Sequence, residues 1–156
     1  MKLKTITEES SERKLEDVID FTELHAQNTI NAPDREITSL EGCPEDLAQL
    51  NISRNQLTSF KGAPKLIQSL NVNGNPITTF RGLEDTTITG ELHAQDCEIS
   101  SFKDGPKFVG HLNLDSNLLS SFEGLEKIKI TRGLDLGSNQ FTSLKGIHKH
   151  LIDFGD

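Results

Sequence analysis

The sequence predicts a repeat solenoid. Its expected parts are a curved parallel β-sheet of about six strands, a helix-free outer face of extended segments and turns, and a short N-terminal helical cap. Three observations predict it. Leucines recur at a nearly constant pitch, apolar and polar residues alternate after each of them, and every interval closes on a Ser/Thr pair, a Phe or Leu, and a Gly. Cuts before Leu50, Leu70, Leu92, Leu112 and Leu134 give segments of 20, 22, 20 and 22 residues and a terminal remainder. They open LNISRNQLTSF, LNVNGNPITTF, LHAQDCEISSF, LNLDSNLLSSF and LDLGSNQFTSL.

Each segment therefore reads L-x-(apolar)-x-x-(N or C)-x-(apolar), and one further apolar site precedes the leucine. The core positions are Leu47, Leu50, Ile52, Asn55, Leu57, then Ile67, Leu70, Val72, Asn75, Ile77, then Thr89, Leu92, Ala94, Cys97, Ile99. They continue as Val109, Leu112, Leu114, Asn117, Leu119 and end as Thr131, Leu134, Leu136, Asn139, Phe141. This pattern resembles the leucine-rich repeat family over residues 21–154, and the resemblance implies a leucine-rich-repeat solenoid used as a binding scaffold. The short pitch and the elements Gly42-Cys43-Pro44 and Gly62-Ala63-Pro64 look most like bacterial and bacteriophage repeats.

Each position has a physical reason. Leu50-Asn51-Ile52 alternates with period two, so Leu and Ile face inward and Asn outward. A lone strand cannot bury its own face, so neighbouring copies must stack. The asparagines at 55, 75, 117 and 139 stand where the chain turns inward, and their amides can bond backbone groups the turn leaves unpaired. Cys97 takes that ladder position in one copy. Phe60, Phe80, Phe102 and Phe122, flanked by Leu40 and Leu144, should stack into a spine. Gly62, Gly82, Gly124 and Gly146 follow two residues later and fit a turn with positive φ; Asp104 holds this place in the third segment.

At the N-terminus, residues 1–20 read as a cap, with Ser11 capping a short helix whose Leu15, Val18 and Ile19 share one face. Residues 21–154 form the solenoid. Its first strand is either 30–32, which keeps a 20-residue pitch, or 24–26. The recurrence of ELHAQ at 23–27 and 91–95 favours 24–26, which makes residues 27–36 an enlarged loop. Leu151 and Phe154 begin a further repeat, so the last strand's edge has little cover and is where a homodimer would form.

The outward row on the concave face reads His25, Asn51, Asn71, His93, Asn113, Asp135, with Glu91, His111, Gln95 and Asp115 beside it. This is the expected surface for a protein partner with a basic face. It holds no Trp or Tyr, and Arg54 is the Arg expected near it, so the usual interface anchors are scarce. Glu91, His93, His111 and Asp135 can meet across strands, but no H-x-x-x-H or C-x-x-C spacing marks a metal site, and polar sheet faces bring such groups together by chance. No phosphate loop, dinucleotide loop or nucleophile elbow occurs. The expectation is a non-enzyme without cofactor or metal.

The net charge of −8 and the scattered basic residues argue against nucleic acid and anionic membranes as partners. No stretch approaches the roughly 20 apolar residues of a membrane span. MKLKTITEESSERK turns acidic without an apolar run, which reads as a chain without a secretory signal, acting in the cytoplasm. Cys43 and Cys97 lie about three strands, or roughly 14 Å, apart and should not pair. The functional expectation is a phage or bacterial scaffold that sequesters or inhibits a host or effector protein. The alternatives are an assembly protein that self-associates and an acidic inhibitor that imitates nucleic acid.

Overall fold

Leu50, Leu70, Leu92 and Leu112 are each at most 1 % exposed, and the alternating residue after each of them faces solvent. That pattern is a set of half-buried strands, and the structure stacks them in chain order. The structure, a computed structural model, describes residues 12–21 and 28–147. Strands β1 (Thr29–Asn31), β2 (Asp46–Asn51), β3 (Leu66–Asn71), β4 (Thr87–His93), β5 (Phe108–Asn113) and β6 (Lys129–Asp135) form one six-stranded sheet. Every pairing is parallel between sequential neighbours, giving a β-solenoid of about five turns with almost no helix. Among the described residues no helix is long and apolar enough to cross a membrane.

The first strand corrects one expectation. Ile30 pairs with Leu50 and Asn31 with Asn51, so the strand beside β2 keeps the 20-residue pitch that the ELHAQ recurrence had outweighed. Residues 29–31 therefore belong to the sheet and not to an enlarged loop. His25 and the rest of 22–27 lie outside the described residues, as do Ser11, Leu151 and Phe154. Of the N-terminal helix, the described part is one 3-10 turn, Leu15–Asp17, opened by a bond from Lys14 N to the Asp17 carboxylate. Leu15 is buried, and Val18 and Ile19 pack against the core.

The 22-residue copies differ from the 20-residue ones in two places. Ile88 and Ile130, and not Thr89 and Thr131, take the leading core site opposite Ile67 and Val109. The residue left over in each strand forms a bulge. The other added residue lengthens the outer turn, where Leu83 and Leu125 point inward and Thr86 donates to the Pro64 carbonyl. Gly90 and Gly110 sit beside these bulges. A Cβ on either would overlap the backbone oxygen of the adjacent strand, at Gln68 or at Gly90, so only glycine fits.

The buried asparagines join each coil to the one before it. Asn55 Oδ1 accepts from Arg35 N and Ile37 N, while its Nδ2 donates to the Ala32 and Ile52 carbonyls. Asn75, Asn117 and Asn139 repeat this, accepting from Leu57 N, Ile99 N and Leu119 N. Their amides donate to Ile52, Ala94 and Leu114 in the preceding coil. At Cys97 the ladder is incomplete. The thiol makes a long contact of 3.6 Å to the Val72 carbonyl and offers Ile77 N no amide oxygen; Ile77 N bonds to Asn75 O within its own turn.

Opposite the sheet, Phe60 and Phe80 stack with centroids 6.0 Å apart, and Phe102 and Phe122 at 6.4 Å. Phe60, Phe80 and Phe102 are fully buried, and truncating such a residue costs about 3–5 kcal/mol. The expected flanks differ: Leu40 is buried, but Leu144 is 70 % exposed because no described coil follows it.

Because the neighbouring copies all accommodate an amide at this position, Cys97→Asn should complete the ladder. It should raise the unfolding free energy by about 1 kcal/mol, the net worth of a typical hydrogen bond. Urea unfolding checks it; an unchanged or lowered midpoint would show that the gap is not a weak point.

Candidate functional site

The parallel register fixes which side chains share the solvent-facing side of the sheet. One row is Asn31, Asn51, Asn71, His93, Asn113 and Asp135, adjacent residues pairing strand to strand. A second row, two residues earlier in each strand, is Thr29, Gln49, Ser69, Glu91, His111 and Gly133. The predicted Asn51, Asn71, His93, Asn113, Asp135, Glu91 and His111 are thus all brought together. Asn31 holds the place expected for His25. Thr29, Gln49 and Ser69 were missed; the 20-residue pitch would have found Asn31 and Thr29, and position −2 from each outward residue the other two.

The asparagines of the row are oriented from below. Asn51, Asn71 and Asn113 each accept a bond at Oδ1 from the backbone N–H two residues on, at Ser53, Asn73 and Asp115. This Asx turn points the amide NH2 along the face. Asn51 Nδ2 donates to Asn31 Oδ1 at 2.8 Å. Beyond the strand ends, Asn73 and Gln95 bond to each other, and Asp115 accepts from Gly137 N. A groove of about 440 Å³ runs over β1–β3 to His93, lined by Asn31, Gln49, Asn51, Ser69 and Asn71 among others.

The face has two electrostatic halves. Over β1–β3 it carries amides and hydroxyls without a charged side chain in the groove lining. Over β4–β6, His93 Nε2 lies 2.9 Å from Glu91 Oε2, and His111 Nε2 lies 2.9 Å from Asp135 Oδ2. The four residues weighed as one cluster thus form two separate pairs, one within β4 and one between β5 and β6. No group of three or more His, Cys, Asp or Glu among the described residues is placed to hold a metal ion.

Several basic residues among the described ones are used elsewhere, in ion pairs that tie one coil or the N-terminal segment to the next. Lys61 and Lys14 both meet Glu41, Lys65 meets Glu45, Lys107 meets Asp85, and Lys103 meets Glu123. Arg54 makes a forked pair with Asp34 at 2.8 and 2.7 Å. The bonds from Lys14 and Lys61 hold the Glu41 carboxyl down, at about 2 against an ordinary 4.5. Arg132 is an arginine the sequence reading did not place near the row; it reaches across Gly110 towards the Thr89 carbonyl, at 3.4 Å. Both cysteines are unpaired, and burial pushes the Cys43 thiol up to about 12 and the Cys97 thiol to about 11.

Comparison of the chain with protein-family models, with curated proteins and with solved structures finds no match in any of the three.

Glu41 generates a pH prediction. Its folded pKa is depressed, so its contribution is fully present above pH 4.5 and is lost as pH falls from 4.5 to about 2. The stability gap between wild type and Glu41→Gln should therefore shrink across that window, as read by urea unfolding at stepped pH. A gap that stays constant would remove Glu41 as an acid-sensitive tie.

Proposed function

We propose that this chain is a leucine-rich-repeat scaffold, without catalytic activity or cofactor, that binds a protein partner on the polar face of its sheet. The reading keeps the phage or bacterial assignment and a cytoplasmic site of action, with sequestration or inhibition of a host or effector protein as the job. The observation that carries it is a contrast within one register. The inward row is almost uniformly Leu, Ile and Val, while the outward row is polar throughout, Asn at 31, 51, 71 and 113, His at 93 and Asp at 135, at fixed spacing. Side chains held side by side and pre-oriented by Asx turns form a surface that loses little freedom on binding.

The occupant's chemistry follows from the two halves. Amides over β1–β3 suit polar or main-chain groups, and Glu91, Asp115 and Asp135 suit a basic patch on the partner. Imitation of nucleic acid fits less well, because Asp34, Glu41, Glu45, Asp85 and Glu123 are matched to basic residues and do not form an unbalanced acidic face.

The test uses His93→Ala/Asn113→Ala/Asp135→Ala in a chain shown to be folded by circular dichroism. A partner captured from bacterial lysate and purified should bind this variant at least about tenfold more weakly, a loss of about 1.4 kcal/mol or more. Its association with the unaltered protein should slow as salt rises. Undiminished binding would remove this face as the site and turn attention to Arg35 and Glu36.

A further inference from the structure

The two ends of the solenoid are built differently. At the N-terminal end Lys14 bridges Ser39, Leu15 N bonds to Ser39 O, and Thr38 N bonds to Arg13 O, so a covering segment closes the first coil. At the C-terminal end the core opens. Leu112, Leu114 and Leu119 are fully buried, but their counterparts Leu134, Leu136 and Phe141 are only partly so. Among the described residues β6 pairs with β5 alone, which leaves the backbone groups of its other edge without a strand partner. Such an edge is a template for a further strand.

The sequence of β6 says which strand fits. It reads Lys129-Ile130-Thr131-Arg132-Gly133-Leu134-Asp135, and it complements itself when paired antiparallel about Arg132. Lys129 then lies opposite Asp135, Ile130 opposite Leu134, and Thr131 opposite Gly133. This opposite-charge pair occurs twice by symmetry, and cross-strand pairs of this kind stabilise a sheet. Ile130 and Leu134 are the residues of β6 that pack on the core, so the same register brings two open cores into contact. The remaining like-charge meeting, Arg132 with its own copy, is relieved because this side chain lies back over Gly110 towards the Thr89 carbonyl.

We propose that two copies of this chain join through β6 in antiparallel register, forming a two-fold dimer with one sheet continuous across both. A two-fold pairing uses the same surface on each copy and stops at two. The N-terminal coils point outward, and pairing β6 with its own copy leaves neither β6 edge free for a third chain. Lys129 lies outside the partner-binding row, so this interface can be altered without touching most of that face.

Sedimentation equilibrium of the full chain over a wide concentration range tests it. The expected result is a monomer–dimer equilibrium with no larger species. Lys129→Glu sets like charges opposite each other twice and should weaken association roughly tenfold or more. The Lys129→Glu/Asp135→Lys exchange should restore it, with circular dichroism confirming that each variant is folded. A monomer at every concentration, growth beyond two copies, or a dimer indifferent to Lys129→Glu overturns the proposal. So does a monomeric chain that dimerises only after Leu151→Ser/Phe154→Ser, since residues 148–156 would then be what covers the face.

Discussion

One constraint governs this fold: each turn into the interior strands backbone donors and acceptors in a place water does not reach. Asn55, Asn75 and Asn117 are at most 6 % exposed, and each meets the neighbouring coil with one amide serving as both acceptor and donor. An unmet buried backbone group costs about 1–3 kcal/mol, so three such groups left unpaired would outweigh the packing of one leucine. The residue before each ladder position pays part of this constraint in conformation. Arg54, Gly74, Asp96, Ser116 and Ser138 all have φ between +51° and +68°, and only one of them is glycine. The backbone is held there by the bonds on either side.

The ladder also fixes the surface. Because each coil is tied to the last at the end of its strand, Asn31, Asn51, Asn71, His93, Asn113 and Asp135 cannot slip relative to one another. A one-residue slip would exchange the inward and outward rows. Two bulges absorb the extra residues of the longer copies without that exchange, and the Phe stack opposite the sheet keeps the coils level. The polar face is thus held in register by a rigid interior.

Most of this was legible in the sequence, since a repeat states its own register several times. Leu50, Leu70, Leu92 and Leu112 located the strands, and Asn55, Asn75 and Asn117 located the inward turns. The misreadings fall where a copy departs from the common spacing. Thr89 and Thr131 were placed inside by counting back three residues, because a bulge leaves no mark in a linear pattern; Ile88 and Ile130 are more apolar and could have arbitrated. At 23–27 the identity of ELHAQ with 91–95 outweighed the pitch, although pitch is what stacking enforces. Leu144 was assigned to the spine by position, but burial also needs a following coil. Of the candidate face, individual residues could be read from alternation, whereas the division into His–carboxylate pairs could not, since it depends on which rotamers meet within β4 and across β5 and β6.

The most direct test of the ladder's primacy is the urea unfolding free energy of Asn117→Leu. Leucine has a similar shape and is more apolar, so packing alone would leave stability unchanged or raise it. The substitution removes the acceptor for Ile99 N and the donor for the Ala94 and Leu114 carbonyls, all in the interior. The account predicts a loss of at least about 2 kcal/mol. A variant as stable as the unaltered chain, or more so, would contradict it and leave apolar stacking as what holds the coils together.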